Sequence, residues 1–278
     1  MSDLQARATE IRRIAVSLIH GAGSGHPGSC LSAADVIAAL YFGELRDGDR
    51  FVLSKGHACP ALYAALHLRG FFDRAALGSF RRLGGLLQGS PTTTIPGVDA
   101  TCGSLGQGFS IALGLALALR GTNPAPGTLN PESRAYVMLG DGELQEGEVW
   151  EAAMAAGHYR LGNLCAIVDY NKMQSDDLNA RTMGLEPLDA KWRAFNWNVL
   201  PIDGHDFTAI AGALAGARAT GDRPTVIIAH TIKGKGVSYM EGVPSWHGSV
   251  KLKPEEIGQA LADLGVPAAR QPEYAFHG

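Results

Sequence analysis

The chain has 278 residues, of which 46% are hydrophobic and 18% charged, and its formal net charge is −3. That length and apolar content allow one sizeable core, so a single α/β unit is the default, although length alone leaves two small domains possible. The charges are interspersed, with no basic run or acidic tail, which argues against nucleic acid as a partner.

Leu4, Ala8, Ile11, Ala15 and Leu18 recur at helical spacing and predict an amphipathic opening helix that Gly21 stops. Ser32 with Asp35 reads as a capping box for a helix running to about Phe42. Arg50 to Leu53 is a short candidate strand, and Ala61 to Leu68 reads as helix. From Gly70 to Gly103 periodicity is lost, and the run Thr92-Thr93-Thr94 with several Gly and Pro predicts a long excursion over the surface or the site. Leu105 to Arg120 is a strongly apolar helix. Ala135 to Leu139 and Leu164 to Asp169 read as buried strands, with Glu146 to His158 as the helix between them. Val199 to Ile202 and Thr225 to Ala229 are further strands around a helix from Phe207 to Thr220, and a last helix covers Lys253 to Leu264. Strand and helix alternate, which predicts a mainly parallel sheet covered by helices on both faces.

Cys30, Cys59, Cys102 and Cys165 are scattered singly, which suits small core residues in a reducing compartment better than a zinc ribbon or disulfide scaffold. The N-terminus carries charges throughout and has no signal-peptide core. The longest apolar stretch, Phe109 to Leu119, is interrupted by Ser110 and Gly114 and falls short of the roughly 20 residues of a membrane span. The chain is therefore read as soluble and cytoplasmic, with no membrane partner.

Chemistry concentrates at Gly140-Asp141-Gly142, which follows one predicted strand and is answered by Asn171 just after the next. In a parallel sheet both lie beyond the carboxyl ends of strands, where ligands bind in such folds. An Asp carboxylate, the Asn171 amide oxygen and a backbone carbonyl near Met173 suit a hard cation such as Mg²⁺, which takes one or two protein carboxylates plus phosphate oxygens and water. Gly142 leaves room for a diphosphate, and the helix start that follows offers unpaired N–H groups. A lone Gly-Asp-Gly is also an ordinary turn; its pairing with the later strand-Asn is what makes it informative.

The segment GDGELQEGEVWEAAMAAGHYRLGNLCAIVDYNK resembles the thiamine diphosphate signature of transketolases. The likeness extends in order over nearly the whole chain: GHPGSCLSAADVIAALY, FVLSKGHACPALYAAL, PGVDATCGSLGQGFSIALGLALA, the GDG segment, AHTIKGKGVSYMEG and WHG. The resemblance implies a single domain over residues 1–278 that binds the diphosphate of thiamine diphosphate and Mg²⁺ or Ca²⁺. It implies Asp141, Asn171 and the carbonyl of Met173 as metal ligands and Gly142 against the diphosphate. Gly103 and Leu105 would contact the cofactor rings. Glu146 matches an acidic residue near the subunit interface that links paired sites, and Asp169 a supporting position behind the ligands. Of the nine histidines, His26, His57 and His247 sit in the motifs GHPG, KGH and WHG, and the resemblance places them around the reactive carbon. His26 and His247 would hydrogen-bond the donor oxygens and move protons, and His57 and His247 would also touch the cofactor. His20, His67, His158, His205 and His230 have no such context and read as packed or surface residues. The implied reaction moves a two-carbon unit from a ketose phosphate to an aldose.

The chain departs from that pattern twice. Where the family carries His-Pro before PGV, this chain reads LQGSPTTTIPGV, so Ser90 stands in place of an imidazole that recognises the donor's C1 hydroxyl. Two expectations stay open: an altered donor, a modified sugar or a 2-oxo acid, or retained activity on ketose phosphates through a bound water. The pyrimidine-binding half of the family's site also has no counterpart here, so a C-terminal partner subunit is expected to supply it, in an α2β2 assembly. A deoxyxylulose-phosphate synthase fragment and a 2-oxo acid dehydrogenase α subunit share the GDG-to-Asn logic, but GHPG and GSLGQG favour transketolase. A scaffolding subunit with a decayed site is the alternative from another class.

Overall fold

Alternation along the strands decides which side chain meets which layer of helices. A computed structural model describes residues 2–121, 132–175 and 177–276. Five parallel strands form the central sheet, β1 (Arg50–Leu53), β2 (Ala135–Gly140), β3 (Leu164–Tyr170), β6 (Asn198–Asp203) and β7 (Thr225–His230), in the order β1-β2-β3-β7-β6. A two-stranded antiparallel pair, β4 (Met173–Gln174) and β5 (Asp177–Leu178), follows β3 directly.

Phe51, Leu53, Tyr136, Met138, Ile167 and Ile227 point into one core, packed by α1 (Ser2–Ala22), α2 (Pro27–Ala39), α3 (Cys59–Leu68), α9 (Phe207–Ala219) and α10 (Pro254–Asp263), with α4 (Arg74–Leu77) at its margin. Val52, Val137, Leu139, Ala166, Val168 and Ile228 point the opposite way, against α5 (Gln107–Gly121), α6 (Gly147–His158) and α8 (Leu188–Ala194). Every residue of β2 and β3 is buried, as a sheet covered on both faces requires. The second core holds an aromatic cluster in which Trp192 lies 6.0 Å from Phe109, 5.3 Å from Trp150 and 4.9 Å from Trp197, in tilted and edge-on contacts that add roughly 0.5–1.5 kcal/mol per pair beyond area burial. The four cysteines are free and buried, and among the described residues no helix is long and apolar enough to cross a membrane.

At one edge of the sheet, β6 aims Asn198 N and Gly204 N at β7, donating to Pro224 O and His230 O, both at 2.9 Å. Even-numbered amides therefore face the neighbour, and Pro201, at an odd position, faces the free edge.

One expected helix start is displaced. Ser32 and Asp35 do not cap a helix; α2 begins at Pro27, with His26 as its N-cap, and runs through both. Pro at the first position loses nothing, because that N–H has no helical partner anyway. Ser32 instead donates to Asp169 Oδ2 at 2.7 Å. Asp35 receives both Arg12 guanidinium nitrogens, at 2.9 and 2.6 Å, and the His205 imidazole at 2.6 Å. The helix also ends differently, passing into a π-type turn, Leu40–Glu44 (α7, Asn179–Thr182, is likewise a single turn). The long 70–103 segment is largely irregular as expected, but Leu77, Phe80, Leu87 and Ile95 anchor it in the first core.

Burial pushes the Asp35 carboxyl up, but His205 and Arg12 outweigh it and hold it below the usual carboxylate range. A depressed pKa means stability that is present above the unfolded value of about 3.9 and lost as pH falls through the folded one. Asp35→Asn is therefore expected to cost about 3–5 kcal/mol near neutrality, because it strands the buried Arg12 charge. In urea unfolding the gap between wild type and variant should close below about pH 4; a gap that persists unchanged at pH 3 would exclude this account.

Candidate active site

The carboxyl ends of β1, β2 and β3 open on a cavity of about 200 Å³. β1 leads into Ser54-Lys55, β2 into Asp141-Gly142 and β3 into Asn171-Lys172-Met173, so residues far apart in sequence meet because their strands are neighbours. Of the residues singled out in the sequence, His57, Leu105, Asp141, Gly142, Glu146, Asn171, Met173 and His247 all line this cavity.

His26 joins them at its rim. Its ring centroid is 5.1 Å from that of His57 and 6.3 Å from that of His247, and the latter two are 5.7 Å apart. Burial, then the nearby Arg81, Lys233 and Lys55 charges, lowers the His26 pKa to about 4. Burial with Lys233 and Lys55 lowers His247 to about 3, and burial with Lys55 holds His57 well below its ordinary value. All three rings are thus neutral at pH 7, each with one donor and one acceptor nitrogen. His57 Nε2 lies 3.1 Å from Ser29 Oγ, whereas His26 Nδ1 is buried without a hydrogen-bond partner. A buried polar atom left unpaired in a cleft is costly, and a bound group would satisfy it.

Asp141 accepts from Gly142 N at 2.8 Å and from Lys172 N at 2.5 Å. Lys172 adopts φ of 69°, an unusual left-handed conformation for a side-chain-bearing residue, at the turn that presents this N–H. Asn171 Oδ1 accepts from Met173 N at 3.1 Å, and Met173 O accepts from Lys233 Nζ at 3.1 Å. Burial and the neighbouring Asp169 charge push the Asp141 carboxyl up to about 6. The Lys233 charge and the Gly142 and Lys172 amides offset this only in part, and a divalent cation would supply the rest. Among the described residues no cluster of three or more His, Cys, Asp or Glu side chains is poised for a metal. A cation at Asp141 would therefore complete its shell with neutral oxygens, such as the Asn171 amide and the Met173 carbonyl, and with oxygens of a bound diphosphate, which is the habit of Mg²⁺.

Asp169, Gly103 and Ser90 sit outside the cavity wall. Asp169 is 1% exposed and enclosed, ion-paired with Lys55 and accepting from Ser32 and Thr231; it stands behind Asn171, whose Nδ2 is 3.4 Å away. Gly103 faces Ser90, and a methyl group built on it would lie 3.6 Å from Ser90 Oγ. Tyr63 fixes that stretch, its single O–H shared between Gln88 O at 2.9 Å and Ser90 O at 3.0 Å. Glu146 is the N-cap residue of α6 and is exposed. A 3₁₀ turn, Gly142–Gln145, leads from Gly142 into α6, which begins within a residue of the expected Glu146. A Cβ on Gly142 would come within 2.8 Å of Gln174 Cβ, so the close pass of β4 already requires glycine.

Three residues of consequence are absent from the sequence-based set. Lys55 and Lys233, 1% and 0% exposed, bring positive charge to the cavity floor, and Lys233 also contacts His247 Nδ1. Glu143 accepts from Gly106 N at 2.9 Å, Gly140 N at 2.8 Å and the Ser54 hydroxyl, tying the 103–106 loop to the end of β2. All three lie inside the quoted motif blocks, which was the available signal.

The family model described as transketolase, thiamine diphosphate binding domain, matches residues 4–275. The chain belongs to the transketolase family. A subunit of 6-deoxy-6-sulfo-D-fructose transketolase from Clostridium sp. (strain MSTE9) is 44% identical over 272 residues, covering 94% of this chain and 96% of that protein. One of the subunits of apulose-4-phosphate transketolase from Phocaeicola vulgatus is 38% identical over 270 residues, covering 94% of this chain and 93% of its own. Transketolase from Campylobacter jejuni superposes with a TM-score of 0.89 at 31% identity over 99% of this chain but 46% of its own. The chain therefore spans under half the length of that solved transketolase and nearly all of the two subunits, and it has the parallel-sheet fold of the family's thiamine diphosphate-binding half.

Proposed function

We propose that this chain is the N-terminal subunit of a two-polypeptide transketolase that transfers a two-carbon unit from a ketose donor to an aldehyde acceptor. The observation that carries this reading is the full-length match to relatives that are themselves named as transketolase subunits, together with a cavity whose acidic, amide and imidazole groups suit the cofactor. Asp141, Asn171 and Met173 O would hold Mg²⁺, and the diphosphate would complete its shell. Gly142, Leu105, Gly103 and His57 would seat the rest of thiamine diphosphate, which when bound supplies the carbanion-stabilising chemistry for carbon–carbon cleavage. The neutral His26 and His247 would orient the donor oxygens and carry protons. Glu146, exposed at the start of α6, would meet the partner subunit.

Titrating thiamine diphosphate with Mg²⁺ into the chain, alone and mixed with a pyrimidine-domain subunit, tests the proposal: tight binding and two-carbon transfer in the mixture only are expected. Absence of binding in both conditions would leave a scaffolding role instead.

Ser90 favours a donor outside the ordinary ketose phosphates. Its hydroxyl, 3.6 Å from where a Cβ on Gly103 would lie, is shorter than an imidazole and would reach a donor hydroxyl only through a bound water. Of the two altered donors, a modified ketose is the better supported, because the two subunit relatives are named for unusual sugars. Ser90→His is expected to shift kcat/KM toward donors that carry a C1 hydroxyl, such as fructose 6-phosphate, over their 1-deoxy analogues by roughly tenfold, the scale of one gained or lost polar contact. Equal preference before and after the change would remove Ser90 from the specificity argument.

A further inference from the structure

His205 has no motif around it, yet it joins two parts of the molecule that the cavity depends on. It follows β6, with a side chain 13% exposed. Nδ1 is 2.6 Å from Asp35 Oδ2, and Nε2 is 2.8 Å from Ile232 N. A carboxylate only accepts and an amide only donates, so the pair fixes the tautomer with its proton on Nδ1. Asp35 is itself held by both guanidinium nitrogens of Arg12. The line Arg12, Asp35, His205, Ile232 thus runs from α1 through α2 to the segment after β7.

Ile232 immediately precedes Lys233, whose ammonium reaches Met173 O and His247 Nδ1 in the cavity. The Lys233 stem crosses Gly28, where a Cβ would lie 2.9 Å from its Cγ, so a small shift of its backbone has little room to be absorbed. The segment has other ties: Thr231 donates to Asp169, Gly234 N to Gly28 O at 3.1 Å and Gly242 N to Lys233 O at 2.9 Å. Among these, His205 is the side chain that receives the amide directly before Lys233.

We infer that His205 is a positioning residue for the thiamine diphosphate site: by accepting the Ile232 amide it sets where Lys233 meets Met173 O and His247. The consequence for cofactor binding rests on the proposed function; the effect on His247 does not. The role is second-hand, through Lys233, as with outer partners that orient metal ligands, whose loss weakens binding by roughly 10- to 100-fold.

The test uses three variants of the full chain. Gln at 205 keeps an acceptor at the reach of Nε2, Asn keeps only a group near Nδ1, and Ala keeps neither. His205→Ala and His205→Asn are expected to speed hydrogen exchange of the Ile232 amide, move the ¹⁵N imidazole signals of His247, and weaken thiamine diphosphate–Mg²⁺ binding at least about tenfold. His205→Gln should restore all three in large part. A general stability role would instead make binding follow melting temperature across the series, with His247 unmoved. Unchanged His247 signals in the Ala and Asn variants would overturn the inference. If wild type binds no cofactor with or without a partner, the cofactor reading fails, and the His247 signals still decide the positioning role.

Discussion

Asp141→Asn is expected to weaken thiamine diphosphate–Mg²⁺ binding by about a hundredfold or more, beyond what loss of an outer partner produces, while moving the melting temperature of the cofactor-free chain by only a few degrees. The first part follows from the donor set. Asp141 is the only carboxylate among the proposed ligands, and an amide offers a hard cation one neutral oxygen in its place. The second part follows from two opposed effects. Removing a buried charge whose pKa stands at about 6 relieves the folded chain. Against that, both Asp141 oxygens accept backbone amides, from Gly142 and Lys172, and the new –NH₂ must face one of those donors. Calorimetry with the partner present reads the binding, and scanning calorimetry of the chain reads the fold. Retained affinity would place the cation elsewhere; a collapse in melting temperature would show that lost binding reflects lost structure.

Lys55→Met should damage the fold itself as severely as Asp35→Asn. Lys55 and Asp169 form an ion pair in which both side chains are 1% exposed. Burial pushes the Asp169 carboxyl up, but Lys55, with the Thr231 and Ser32 hydroxyls, more than reverses it. Without Lys55 the hydroxyls remain and the compensating charge does not. Breaking such a pair costs about 3–5 kcal/mol, which corresponds to a melting temperature lower by roughly 10 °C for a chain of this size. Lys55→Met with Asp169→Leu, which removes both charges, should recover part of that loss. If the single variant melts within two or three degrees of wild type, the pair is not what holds β1 to β3.

Lys55 shows where the sequence stops being informative. The parallel sheet was legible because its strands are short apolar runs separated by helical periods, and the observed strands β2, β3, β6 and β7 depart from the expected limits by a residue or two. The Gly140-Asp141-Gly142 and Asn171 pairing was legible because it depends only on the ends of adjacent strands. Lys55 and Lys233 stay hidden because a lysine in a polar motif reads as solvated unless its buried partner is known, and Asp169 and Met173 lie 114 and 60 residues away. Ser32 and Asp35 misled for the related reason that their local capping chemistry was claimed by distant groups, Asp169, Arg12 and His205. His205 itself carries no periodicity or motif; only the meeting of α2 with the segment after β7 gives it a role.

The position of Pro201 has a consequence for the protein's behaviour in a crowded solution. An open sheet ends in a row of unused donors and acceptors, a template on which a strand from another molecule can add. Pro201 interrupts that row in the middle of β6, where its ring nitrogen replaces an outward N–H. A foreign strand pairing there would lose a hydrogen bond and meet the ring, so the edge of the sheet that is furthest from the cavity resists growth into aggregates.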